Sequence, residues 1–287
     1  MTENIAGEDI PRENELGEAP MVVATPEPRK EITLRDMLEA GAHLGHRTMR
    51  WNAKMAPYIY GIRNNIHIID LTQTSIMLKE ACRILGEVVR KGGKILFVCT
   101  KKQGAKSIKE LAEKNNQFYV NHKWLGGALT NWKTISQSIR KMKFIENKLS
   151  SGEKILKKEA VVLGKELEKL KSNLDGIRTM GSVPDMIFVV DTVKESLAIH
   201  EARSLGIPIM AITDTNSDPD FIDYPIPGND DSIKAIQLYC DAIDGALSKI
   251  KAPQSGERRI FQRKDGAPLR RSAADQRSAR AGERKRK

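Results

Sequence analysis

The sequence has little of what marks a secreted, membrane or cofactor-dependent protein. Its three cysteines, Cys82, Cys99 and Cys240, lie far apart and form no Cys-x-x-Cys. That spacing indicates neither a zinc site nor a disulfide framework and fits a reducing cytosol. No stretch approaches the roughly 18 consecutive apolar residues of a membrane helix. The opening Met1-Thr2-Glu3-Asn4 is not a basic patch followed by an apolar stretch, so no signal peptide is expected. Aromatic residues make up only 5% of the chain. No Gly-x-Gly-x-x-Gly follows the first strand-like run, and there is no Walker loop and no Gly-x-Ser-x-Gly elbow, which argues against a nucleotide enzyme or a serine hydrolase. Asp214-Thr215-Asn216-Ser217-Asp218-Pro219-Asp220 mimics the first ligands of a calcium loop. However, Pro219 stands where the turn needs Gly and Pro225 where a bidentate Glu is needed, so it reads as a polar loop. His43 and His46 are three apart, but no neighbouring Cys or carboxylate cluster completes a tetrahedral site. No cofactor or metal is expected.

What is present is charge, unevenly spread. The net charge is +11. Residues 1–28 hold seven acids against one base, whereas residues 251–287 hold thirteen bases against four acids. The body between them is also basic. Such a distribution points to a polyanionic partner. Both ends carry too few apolar side chains to offset their ordering entropy. Residues 1–30 are therefore expected to be a disordered acidic extension and 251–287 a disordered basic tail. With 40% hydrophobic residues, the body over 31–250 can bury a real core.

The body alternates strand and helix. Short, nearly continuous apolar runs occur at 66–69, 95–98, 118–120, 186–190 and 209–212. Continuity, rather than alternation, predicts a parallel sheet covered on both faces. Helical spacings over 73–90, 103–114, 193–205 and 229–249 separate most of these runs, the pattern of a doubly wound α/β fold. About 65 residues between the third and fourth strands exceed what one crossover needs. Leu156, Ala160, Leu163, Leu167, Leu170 and Leu174 are spaced 4, 3, 4, 3, 4, a heptad seam. Ile135, Ile139, Met142 and Leu149 match it more loosely. The spacing predicts an antiparallel helical hairpin over about 131–177, with Ser150 and Glu153 spaced as a capping box at its turn.

Basic and aromatic residues interleave in three places. The first holds Arg47, Arg50, Trp51, Asn52 and Lys54, continuing to Tyr58, Tyr60, Arg63 and Asn64. The second is Lys101-Lys102, where a strand meets a helix N-terminus. The third is Lys123 beside Trp124, followed by Asn131-Trp132. Arginine and lysine bind phosphates, and Trp and Tyr can stack on unpaired bases. Arg47, Arg50, Trp51, Asn52, Lys54, Arg63, Asn64, Lys101, Lys102, Lys123 and Asn131 are thus the candidate RNA-binding residues. A competing reading is a Rossmann-like enzyme with Asp70, Thr100, Asp191 and Asp214 at strand ends. A third is a docking adaptor that uses the hairpin.

Several long stretches resemble the bacterial family of the second small-subunit ribosomal protein. They are Leu38 to His46, Trp51-Asn52 with Lys54-Met55, Asn65 to Leu71, Phe97 to Gln103, Trp124 to Asn131, Asp214 to Asp220 and Tyr224 to Asp231. The resemblance covers about residues 31–250, in order. It implies a flavodoxin-like, doubly wound five-stranded parallel sheet of order 2-1-3-4-5 with an inserted α-helical coiled-coil hairpin. It implies no enzymatic activity, no small-molecule substrate and no membrane. The implied place is the cytoplasmic ribosome, bound to 16S ribosomal RNA at the head–body junction. The implied protein partners are neighbouring small-subunit proteins, including the large mRNA-binding first protein.

Overall fold

The computed structural model describes residues 32–151 and 156–250. The two expected tails and Glu153 of the expected capping box lie outside the described residues. In chain order, helix α1 (Leu34–Glu39) precedes strands β1 (Leu44–Arg47), β2 (Ile59–Arg63) and β3 (Ile66–Ile69). Helix α2 (Leu71–Arg90), strand β4 (Ile95–Val98), helix α3 (Ala105–Lys114) and strand β5 (Phe118–Val120) follow. Next come helices α4 (Trp132–Ser150) and α5 (Lys157–Leu174), then β6 (Met186–Val190), α6 (Ser196–Leu205), β7 (Ile209–Thr213), β8 (Tyr224–Pro227) and α7 (Ile233–Leu247).

The parallel sheet has the order β5-β4-β6-β7-β8, with every neighbouring pair parallel. Numbered within the sheet, this is 2-1-3-4-5, the doubly wound arrangement. All residues of β4, β6 and β7 are buried, as continuous apolar strands require. Their alternate side chains feed two cores. Ile95, Phe97, Phe188, Met210 and Ile212 face α2, α3 and α7, through Leu78, Leu85, Ile108, Ile236 and Ile243. Leu96, Val98, Ile187, Val189 and Ala211 face the other layer, formed by α6 and the bases of α4 and α5. Phe97 and Phe188 are register partners, and their rings meet at 5.5 Å and 54°. Such a pair adds about 1 kcal/mol beyond its buried area. Helix starts are fixed locally: Asp70 accepts from Thr72 N–H at 2.9 Å, and Thr33 and Asp36 form a reciprocal capping box on α1.

Two strand expectations are corrected. The run Ile66–Ile69 is not in the parallel sheet; it is the central strand of an antiparallel meander of order β1-β3-β2. A short apolar run does not reveal which sheet it joins. The fifth parallel strand is instead β8, hidden in the sequence by Pro225 and Pro227. Gly228 N–H donates to Thr213 O of β7 at 3.0 Å, so alternate positions 225 and 227 face away from β7. Proline is tolerated there because β8 is an edge strand.

α4 and α5 form the expected hairpin. Lys148–Glu159 (2.8 Å) and Lys171–Glu146 (2.7 Å) pair across it, as do Lys141 and Glu166, in antiparallel register. Ile135, Ile139 and Met142 on α4 and Leu174 on α5 are buried in the core, whereas Leu156 at the far end is 78% exposed. The base is therefore anchored by the body, and the far part by the partner helix.

The loop that carries the chain from β5 into α4 is organised by one carboxylate. Glu201, on α6 and only 6% exposed, accepts from Trp124 Nε1 (3.0 Å), Gly127 N (2.8 Å), Leu129 N (2.9 Å), Thr130 N (3.1 Å) and Thr130 Oγ1 (3.0 Å). Burial opposes its charge, but the hydrogen bonds outweigh burial and hold the carboxyl below its ordinary value of 4.5. A lowered pKa means that this stabilisation is complete above the ordinary value and is lost as pH falls through the folded one. Glu201→Ala is expected to cost about 3 kcal/mol in urea unfolding at pH 7, because buried donors lose a charged acceptor. The gap between wild type and Glu201→Gln should narrow as pH drops below about 4.5. A constant gap down to pH 3 would refute the assignment.

Candidate nucleic-acid interface

The β1–β3 meander is fastened to the carboxyl ends of the parallel strands. His46 N–H donates to Thr215 Oγ1 (2.9 Å) and Asn52 N–H to Thr215 O (2.8 Å). Gly45 packs so closely that a Cβ there would lie 2.6 Å from Thr215 Cγ2. Lys54 Nζ pairs with Asp218 (2.8 Å) and Asp220 (2.6 Å) in the loop after β7. His46 Nδ1 meets Asp214 at 2.9 Å. That bond, and the nearby Asp230 and Asp231, hold the imidazole above its ordinary 6.5 despite partial burial. The candidate residues of all three sequence segments are thereby collected at one end of the sheet. Lys101 and Lys102 follow β4, Lys123 follows β5, and Asn131 occupies the N-cap position of α4.

Adjacent candidates have different fates. Lys101 turns inward, and its Nζ lies 2.8 Å from Asp191, 2.8 Å from Asp230 and 2.7 Å from Asp231. Burial alone would lower its pKa; the three carboxylates more than offset that and raise it. Asp230, fully buried, is pushed up to about 7 by burial and by Asp214, with Lys101 pulling the other way. Asp191 adopts a left-handed φ of 69°, and its Oδ1 accepts from Val193 N (3.1 Å) and Lys194 N (2.9 Å). Such strain persists only where surroundings enforce it. Lys102, by contrast, is exposed. Arg47, Arg50, Arg63, Lys102 and Lys123 are all exposed and form no ion pair among the described residues. Asn52 caps the 3-10 turn Ala53–Tyr58 by accepting from Lys54 N at 3.0 Å, and Asn64 makes the β2–β3 turn at φ 52°.

No local motif marks the ion-pair centre. His46 does meet carboxylates, contrary to the expectation from its local spacing, because they arrive from 168 and 185 residues away. His46, Asp214, Asp230 and Asp231 offer ligand atoms within 4.8 Å of one another, a donor set of the kind divalent cations use. Lys101 already supplies positive charge to two of them. The residues of the competing enzyme reading are engaged internally: Asp70 caps α2, Thr100 N–H and Oγ1 donate to Glu195 (2.9 and 2.5 Å), and Asp191 and Asp214 hold Lys101 and His46. The crevice at the carboxyl ends is thus filled by the protein's own side chains. Lys101→Met should cost about 3–5 kcal/mol in urea unfolding, since it strands buried carboxylates. Lys102→Met should change stability by less than about 0.5 kcal/mol. Equal effects would refute the inward assignment of Lys101.

The sequence profile of the family described as Ribosomal protein S2 matches residues 37–249. The chain is 54% identical over 228 residues to the Small ribosomal subunit protein uS2 of Ruegeria sp. (strain TM1040), covering 77% of this chain and 89% of that protein. It is 50% identical over 251 residues to the protein of the same name from Agrobacterium fabrum (strain C58 / ATCC 33970), covering 87% and 98%. For that of Rhodospirillum centenum (strain ATCC 51521 / SW) the identity is 53% over 218 residues, covering 75% and 84%. A profile spanning nearly the whole described body and identity of this extent make the chain a member of the Ribosomal protein S2 family.

Proposed function

We propose that this protein binds 16S ribosomal RNA at the head–body junction of the small subunit, through the rim of unpaired basic side chains at the carboxyl end of its sheet. Membership of its family makes it a structural, non-enzymatic constituent of the small subunit of the cytoplasmic ribosome. The observation that carries the RNA reading is the sorting of cations. Lys54 and Lys101 are occupied by carboxylates, while Arg47, Arg50, Arg63, Lys102 and Lys123 stand exposed around the filled crevice. Exposed arginines and lysines on one rim suit phosphates, whose neutralisation releases counterions. Trp51, Asn52, Asn64 and Asn131 lie among them and supply stacking and hydrogen-bonding groups. RNA shape, rather than base sequence, then sets the position.

The second part of the proposal is support for recruiting the large mRNA-binding first protein. The hairpin suits a docking role because its far part needs only its partner helix. Replacing residues 148–163 by a short turn spares the core residues Ile135, Ile139, Met142 and Leu174. If the hairpin is the docking element, subunits carrying that variant should keep this chain and lose the first protein on sedimentation. Loss of both, or of neither, would refute it.

Salt titration tests the RNA part. Binding to small-subunit ribosomal RNA should weaken along a straight log–log line, with an unrelated structured RNA binding less tightly at every salt concentration. Alanine at Arg47, Arg50, Arg63, Lys102 or Lys123 should each lower the slope by about 0.7–0.9. Lys54→Ala should lower it less. Equal slopes for all six variants would sink the sorting argument.

A further inference from the structure

The three tryptophans differ in a way that separates packing from recognition. Trp124 is buried, and its indole N–H donates to Glu201. Trp132 is half-buried, and its indole N–H donates to Gly181 O at 3.3 Å. Trp51 is 43% exposed, and its indole N–H has no hydrogen-bond partner among the described residues. One ring face of Trp51 lies on the imidazole of His67, at 5.0 Å between centroids and 30° between planes. His67 is buried in β3 at 4% exposure. A rigid support beneath the indole means that little side-chain freedom remains to be lost when a ligand covers the other face.

The neighbourhood extends this platform. Ile62 is the register partner of His67, and opposed residues of antiparallel strands point to the same face. Ile62 is 63% exposed. The register shifts between Ile59 and Gly61, leaving Tyr60 as the extra residue of a bulge, with 82% of its surface exposed. Bulges at sheet edges re-aim side chains. Arg50 directly precedes Trp51 in the chain and is exposed without an ion pair among the described residues, whereas Arg63, paired with Ile66, follows Ile62 in β2 and so points to the opposite face. An apolar, partly aromatic face bordered by an unpaired arginine complements a nucleotide strand, which offers a flat ring and a phosphate a few ångströms apart.

We propose that the Trp51–His67 stack is a platform for an unpaired RNA base, with Arg50 taking a flanking phosphate. This rests on the RNA-binding reading above and adds that part of the site is single-stranded. Duplex RNA keeps its base faces stacked, so it can use the arginine but not the indole.

The test compares full-length wild type, Trp51→Phe and Trp51→Ala on octauridylate and on a perfectly paired RNA duplex of equal phosphate number. Octauridylate should quench tryptophan emission in wild type, and the quench should vanish in Trp51→Phe, which keeps an aromatic surface. Trp51→Ala should weaken octauridylate binding by about 5- to 100-fold, as for loss of one stacked base. Trp51→Phe should recover most of that affinity, and duplex binding should change less than about twofold. An equal loss on both RNAs, or a loss with lowered thermal stability in both variants, would mean a structural role and overturn the proposal. Unchanged octauridylate binding alongside failure of the Ala variant to enter subunits would mark the face as a protein contact and also overturn it. If wild type bound neither RNA, the RNA reading itself would fall, and this inference with it.

Discussion

One ammonium group sets the terms for the carboxyl end of the sheet. Lys101 Nζ is held by Asp191 after β6 and by Asp230 and Asp231 after β8, so a single cation ties together loops from three strands. Two of those carboxylates are buried, and they tolerate burial because the cation is within hydrogen-bond distance. Doubly wound proteins usually open a ligand crevice at this place. Here the crevice is occupied from within, and Asp191 accepts a left-handed backbone to complete it. The meander docks onto the same end through His46, Asn52 and Lys54. What would be a pocket in an enzyme has become a support for an outer rim.

Net charge alone understates this arrangement. The chain carries an excess of eleven positive charges, but many lysines are neutralised by near neighbours: Lys114 by Asp244, Lys148 by Glu159 and Lys171 by Glu146. Pairs with both partners open to solvent, such as Lys148–Glu159 and Lys171–Glu146, contribute little stability, in the range of about 0–1 kcal/mol each. Their effect on binding is larger, because they decide which cations remain available to a polyanion. The remaining free cations include a run on the meander and the two loops beside it.

The sequence made the middle of the fold legible and blurred its edges. The runs at 95–98, 186–190 and 209–212 were readable because burial on both faces demands uninterrupted apolar residues. The hairpin was readable because its seam repeats every three or four residues over six positions. β8 was not, since Pro225 and Pro227 argue against a strand unless its edge position is known. Ile66–Ile69 looked like a parallel strand because three isoleucines around one histidine carry no record of their pairing partner. At the interface, the interleaved basic segments stood out as composition, yet Lys101 and Lys102 look alike in sequence. Only the turn after β4 sends one inward and the other out. The residues that meet Lys101 lie 90, 129 and 130 positions further along the chain, and no local spacing reports an encounter of that range.

The two prolines of β8 have a bearing on the protein before it reaches its partners. Both fall at positions that face away from β7, so the outer border of the sheet lacks N–H donors at 225 and 227. An incoming strand from another copy would find no N–H donor at 225 or 227, and Thr74 Oγ1 already donates to Pro227 O at 2.8 Å. A chain with an open strand edge runs the risk of adding edge to edge into aggregates. Proline at this border lowers that risk by chemistry built into the backbone, without depending on side-chain charge.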